Sequence, residues 1–304
     1  MLKSSNFVHQ NCNFIIDFQS GYDIIKECIV KLQGGIILIA GVSTACLYPK
    51  PIEESLYELA VNGVSNVELF INTHSELKKS FAHGIANIMK RFDVKCRSVH
   101  PYTCEIEPQM FFSEYERRID DMLEYYKLYF RFMNIVGADI FVFHGGKPSS
   151  ICTPELYCER FSRLYRIGKE FGVTVAIENV SRCKSGSSAF IKEIKNMLGS
   201  EFAFVLDTKQ ALRSNENPLK FLDVVGDKIS NVHISDSGEM GDCLLIGRGR
   251  FNFKQFFEKL AVYNSDCSVI LELYRSGFSG ISDLISSYNK LSRMTEPYGR
   301  EQKL

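Results

Sequence analysis

The stretch FVLDTKQA, residues 204–211, carries three apolar residues after Ala203 and runs straight into Asp207. Such a run suits a strand covered on both faces. A carboxylate at its end is costly to bury unless a partner meets it there. Seven other short runs rich in Val, Ile and Phe repeat the pattern. Five lie upstream: LIAGVS (38–43), NVELF (66–70), VKCRSVH (94–100), DIFVFHG (139–145) and VTVAIEN (173–179). Two lie downstream, SNVHIS (230–235) and SVILELY (268–274).

Helical patterns separate them. Ile119, Met122, Leu123, Tyr126, Phe130 and Met133 share one helix face within 114–136, and Gly137 can end that helix. PIEESLYELAVNG (51–63) opens with Pro and closes with Gly, the usual asymmetry of helix ends. Phe161, Leu164, Ile167 and Phe171 mark another helix before Gly172. Residues 188–198, 217–225, 253–263 and 280–292 supply more, and 75–91 has the thinnest apolar face. Eight strands alternating with helices predict a (β/α)8 barrel over 38–304. A doubly wound open sheet would carry a glycine-rich phosphate turn after its first strand, and GVSTACLYP lacks one. Residues 1–37 do not fit the repeat. They read as a loosely packed N-terminal extension, in which GYDIIKECIVKLQGG offers one short helix.

Composition narrows the function. The 36 Lys+Arg balance the 36 Asp+Glu, so no electrostatic track for nucleic acid or an anionic membrane is expected. No apolar run reaches the length of a membrane span. Ten cysteines without a CxxC exclude a zinc knuckle and read as reduced, mostly buried thiols of a cytoplasmic protein. Trp is absent, so Phe or Tyr must supply any sugar-stacking platform.

The C-terminal ends of barrel strands face the active site. Here they deliver Glu68, His100, His144, Glu178, Asp207, His233 and Glu272, from seven of the eight strands. Four carboxylates and three imidazoles at one mouth repel and desolvate each other unless a cation sits among them. Oxygen and imidazole ligands suit a divalent ion: Mn, Mg, Co or Zn. The expected set is Glu178, Asp207, His233 and Glu272, separated by 29, 26 and 39 residues, about one strand–helix unit each.

At these residues the chain resembles the xylose isomerase-like TIM-barrel superfamily. That group holds sugar isomerases and epimerases of the tagatose epimerase type, inosose dehydratases and metal-dependent apurinic endonucleases. The matching motifs are SVHPY, FVFHGG, AIENV, LDTKQ, NVHISDS, IGRGRFNF and LELY, in order over roughly 38–295. The resemblance implies one divalent ion on the four residues above and a small carbohydrate substrate, phosphorylated or not. It also implies that Glu178 and Glu272 move a proton next to a carbonyl. Glu68, His100, His144, Gln210 and Arg248 are the expected substrate contacts. His100 and His144 read equally as hydrogen-bonded residues of the mouth, and Arg248 as part of a solvated loop.

Two positions depart from the pattern. Gln210 stands where the family has the His of DxxH, and Cys243 stands where it has a His before the LLxGxG turn. An apurinic endonuclease needs a multi-zinc site, which Gln210 and the His-free GDCLLIG around Asp242 leave incomplete. The residues also leave room for an inosose dehydratase-like lyase, or for a barrel that binds ligand without catalysis.

Overall fold

The structure, a computed structural model, describes residues 37–148, 152–263 and 266–298. The expected extension at 1–37, with its short helix, lies outside the described residues except for Ile37, which opens the first strand. The strands are β1 (Ile37–Ser43), β2 (Asn66–Phe70), β3 (Lys95–His100), β4 (Ile140–Phe143), β5 (Thr174–Glu178), β6 (Phe204–Asp207) and β7 (Ile229–Ile234). A hairpin of β8 (Asp236–Gly238) and β9 (Gly241–Leu244) precedes β10 (Asp266–Leu271). Every predicted strand is present. β1 pairs in parallel with both β2 and β10, which closes an eight-stranded barrel in the order β1-β10-β7-β6-β5-β4-β3-β2. The hairpin is absent from the sequence-based expectation. It is short and polar and holds Gly238 and Gly241, so it carries no strand-like run of apolar residues.

Period-two alternation decides which side chains reach the interior. Val67, Leu69, Val99, Phe141, Phe143, Val175, Ile177, Phe204, Leu206, Val232, Val269 and Leu271 belong to the main core, packed with residues of the surrounding helices. The alternate positions point inward. Low in the barrel Ile140, Val142, Ala176 and Val205 form a separate buried apolar cluster, and Asn66 is buried there with its amide directed at Ser268 Oγ. Toward the C-terminal ends the inward positions are polar: Ser43, Glu68, Ser98, His100, Glu178, Asp207 and His233 are all buried. Space inside is tight. A Cβ on Gly41 of β1 would lie 2.6 Å from Asn66 Nδ2 and 2.7 Å from Ile270 Cδ1.

The helices are α1 (Ile52–Val61), α2 (Lys79–Phe92), α3 (Glu107–Met110), α4 (Glu116–Val136), α5 (Pro154–Glu170), α6 (Ser188–Leu198), α7 (Thr208–Arg213), α8 (Pro218–Val225), α9 (Phe253–Tyr263) and α10 (Ile281–Thr295). Their starts are encoded locally. Thr153 and Asn217 accept from Leu156 N and Leu219 N, each followed by Pro at the first helical position. Gly137, at φ 78°, ends α4 in the left-handed conformation that glycine adopts without strain. α3 and α7 are each too short to show a period, so the sequence does not announce them. No helix among the described residues is long and apolar enough to cross a membrane. The eight described cysteines are free thiols, and all but Cys243 are buried.

Candidate metal centre

β5, β6, β7 and β10 are consecutive around the barrel. Asp207 and His233 are register partners on β6 and β7. His233 is also level with Ile270 on β10. Glu272 follows just past β10, where its N–H still donates to Ile234 O at 3.1 Å. Side chains in register on parallel strands project the same way, so Glu178, Asp207, His233 and Glu272 converge. One ligand atom from each lies within 4.8 Å of the other three, and the group can hold a metal ion.

His233 is held from both sides. Its Nδ1 lies 2.9 Å from Glu178 Oε1 and 3.7 Å from Glu272 Oε2. Its Nε2 lies 2.8 Å from Glu68 Oε2, which also accepts from Ser98 Oγ at 2.8 Å and Asn231 Nδ2 at 3.3 Å. Asp207 is fixed by its backbone. Asn179 donates to Asp207 O at 2.9 Å and accepts from Asp207 N at 2.7 Å, extending the β5–β6 ladder with a side-chain amide. Asp207 Oδ1 caps α7 by accepting from Gln210 N at 2.9 Å. Its Oδ2 is buried with no hydrogen-bond partner among the described residues. It faces Lys209 Nζ at 3.4 Å, and that same ammonium donates to Glu272 Oε2 at 2.9 Å.

The charges explain what this arrangement asks for. Burial raises the Asp207 carboxyl; Lys209 opposes this, but Glu272 and Glu178 add to it, and the group is pushed up to about 7. Burial also penalises Glu178, yet His144 and His233 hold it well below the usual carboxylate range. Burial works the same way on Glu272, and there Lys209 and His233 prevail, holding it down at about 2. Burial would lower His233, but Glu68, Glu272 and Glu178 raise it well above the ordinary imidazole value. An unpartnered Oδ2 among three carboxylates and one imidazole is a donor set that fits a divalent ion.

A second group, His100, Cys104 and His144, lies beside the first. The two imidazole Nε2 atoms are 2.9 Å apart, and His144 Nε2 lies 2.7 Å from Glu178 Oε2. Glu178 therefore touches both groups, one carboxylate oxygen to each. Phe70 stacks on the His100 ring with centroids 4.6 Å apart. Behind His144, Glu107 of α3 accepts from the N–H groups of His144 and Gly145 at 2.9 and 3.0 Å and so fixes the end of β4.

The remaining expected site residues fare differently. Glu68 lies in the cluster, but its contacts are His233, Ser98, Asn231 and Ser43, so it supports the imidazole from below. The Gln210 carbonyl is taken up by Ser181, accepting from its N and Oγ at 3.1 and 2.8 Å. Arg248 is exposed on the loop after β9. Asp236 shapes that loop through bonds from Gly247 N, Gly249 N and Phe251 N. Cys243 donates to Glu272 O at 3.8 Å and lies beside the cluster. Asn179, Cys104, Glu107 and the reach of Lys209 are not among the residues expected from the sequence. Only Asn179 and Lys209 carry a signal there, as direct or near neighbours of Glu178 and Asp207.

The family described as xylose isomerase-like TIM barrel matches residues 56–294. An uncharacterized protein of Methanocaldococcus jannaschii is 36% identical over 108 residues, which span 34% of this chain and 40% of that protein's length. Among solved structures, a D-tagatose 3-epimerase-like protein superposes with a TM-score of 0.72 at 19% identity, over 86% of this chain and 98% of that one. The IolI protein with a bound zinc atom superposes with a TM-score of 0.69 at 16% identity, over 86% and 99%. At these identities the two structures speak to the fold.

Proposed function

The chain belongs to the xylose isomerase-like TIM-barrel family, and from that premise we propose that it is a metal-dependent isomerase or epimerase of a sugar or sugar phosphate. The observation that carries this reading is the convergence of Glu178, Asp207, His233 and Glu272 within 4.8 Å of one another. A divalent ion on these four side chains would polarise a carbonyl oxygen of the substrate and favour loss of the neighbouring proton. The D-tagatose 3-epimerase-like neighbour and the zinc-holding neighbour support the sugar and the metal in turn.

The chain's own residues do the rest. Glu178 Oε1 and Glu272 Oε2 lie 2.9 and 3.7 Å from His233 Nδ1, so a substrate held at the cluster would have two carboxylates within reach of its carbons. Both carboxyls are held below their ordinary range and are ionised at neutral pH, as a base must be. One of them takes the proton from the carbon next to the carbonyl. Return by the same carboxyl to the adjacent carbon gives isomerisation; return from the opposite face gives epimerisation.

A second reading rests on His100, Cys104 and His144, which share Glu178 with the first group. Two adjacent ions there would favour hydrolysis of a phosphate ester, as in an endonuclease. Gln210 turned to Ser181 and the absence of His beside Asp242 count against it. The deciding experiment is a screen of ketoses, inososes and their phosphates with Mn, Mg, Co or Zn in deuterated water, alongside a count of bound metal. Deuterium at the α-carbon with one ion per chain supports the isomerase or epimerase. Two or more ions with cleavage of abasic DNA supports the phosphodiesterase and ends the first reading.

A further inference from the structure

We propose that Lys209 is the built-in counter-cation of this site and competes with the divalent ion for Asp207 and Glu272; the proposal rests on the metal-binding reading of the cluster. Lysine at a mouth normally carries its ammonium out to water. Lys209 does the opposite. It is only 4% exposed, and its Nζ lies 2.9 Å from Glu272 Oε2 and 3.4 Å from Asp207 Oδ2, on two of the four expected ligands. Tyr274 roofs it, with the ring centroid 5.0 Å from Nζ. Arg213 holds that ring by donating to Tyr274 Oη at 2.7 Å while forking onto Asp242 at 2.5 and 2.9 Å. The ammonium is therefore placed by a set of side chains that hold it inside the mouth.

The fit is partial, and that is what marks it as a competitor. Lys209 satisfies Glu272 but leaves Asp207 Oδ2 buried without a hydrogen bond. A single charge with one short contact neutralises the metal-free cluster incompletely. A divalent ion among the same oxygens brings twice the charge and reaches all four side chains, but it must displace the ammonium from Glu272 and Asp207. Lys209 thus keeps the metal-free site folded and lowers its affinity for metal.

Mn2+ alone is titrated into metal-stripped wild type, Lys209→Met and Lys209→Gln. Both variants should bind Mn2+ about tenfold more tightly or better, because a unit charge is removed next to two ligands. In thermal melts the metal-free variants should unfold below metal-free wild type, and added Mn2+ should recover more stability in them than in wild type. Should the Met variant aggregate, the Gln variant carries the test, since its amide still donates to Glu272. Equal or weaker Mn2+ binding in a folded variant overturns the proposal. Binding by the variants but not by wild type supports it and ends the metal-dependent reading of the native chain. Binding by none of the three overturns both.

Discussion

Glu68 and His233 meet across the barrel, with Glu68 Oε2 2.8 Å from His233 Nε2 and both side chains fully buried. A hydrogen bond there puts the proton on Nε2 and leaves Nδ1 facing Glu178 and Glu272. Glu68 therefore acts on the cluster through the imidazole. In Glu68→Gln the amide oxygen can still accept from Nε2, but the negative charge that raises the basicity of the ring is gone. Mn2+ affinity should fall about 10- to 100-fold. Titration of the metal-stripped variant checks this, and unchanged affinity would leave Glu68 with a packing role only.

Metal binding should strengthen as pH rises. Asp207 is pushed up to about 7 in the metal-free chain, and His233 well above the ordinary imidazole value. Both must release a proton to serve as ligands. Below about pH 7 the proton on Asp207 competes with the ion, so affinity should drop about tenfold or more per pH unit on going down. The same shift bears on stability. Asp207 holds its proton more tightly folded than unfolded, so it favours the metal-free fold at low pH, and that contribution fades as pH rises through 7. Calorimetry in buffers of different ionisation enthalpy should detect proton release on binding at neutral pH. An affinity flat from pH 5.5 to about 8 would contradict the assignment.

The side-chain amide of Asn179 makes two bonds to the backbone of Asp207, one to its carbonyl and one from its N–H. Asn179→Ala would leave a buried donor and a buried acceptor short of these partners at the end of β6. The expected loss of stability is about 2–6 kcal/mol, at about 1–3 kcal/mol for each of the two orphaned groups. Urea unfolding measures it. A loss under about 1 kcal/mol would mean that water or a shifted side chain takes over both bonds.

Gly41→Ala tests the tightness of the interior. The new Cβ would sit 2.6 Å from Asn66 Nδ2, 2.7 Å from Asn66 O and 2.7 Å from Ile270 Cδ1. The side-chain atoms can give way; the carbonyl on β2 moves only with its strand. Overpacking of this kind costs about 1–3 kcal/mol, read as a lower midpoint in urea.

These residues also mark what a sequence discloses. The period-two runs put Glu178, Asp207 and His233 on the inner face one strand–helix unit apart, so their meeting is legible once the barrel is. Glu272 follows from the same count although it stands one residue beyond β10. The partners that decide the electrostatics are not legible. Glu68 and His233 are 165 residues apart in the chain, and only closure of the barrel places them opposite each other. Lys209 is next but one to Asp207, yet its inward turn depends on Tyr274 and Asp242 from two other segments, tied to it through Arg213 one turn further along the same helix. Glu107 sits on a one-turn helix without any period to announce it. Backbone pattern encodes which face a residue takes; it does not encode which distant group will neutralise it.

Glu178 and Glu272 are assigned two roles, ligand and proton carrier, and the two can be separated. Glu178→Gln and Glu272→Gln keep the shape and retain an oxygen that can face the ion. Each removes a group able to take up the substrate proton. Exchange of the α-proton with solvent deuterium should fall about 10²–10⁴-fold in the variant that has lost the base, while Mn2+ affinity falls less. The variants need not be equal. If a single carboxyl removes and returns the proton, one variant loses exchange and the other keeps most of it, which points to isomerisation on one face. If the proton leaves on one face and returns on the other, the variant lacking only the returning acid still exchanges on the first face but fails to form the epimer. Wild-type product free of solvent deuterium would point instead to hydride transfer between neighbouring carbons. Full exchange and full turnover in both variants would leave Glu178 and Glu272 as ligands alone.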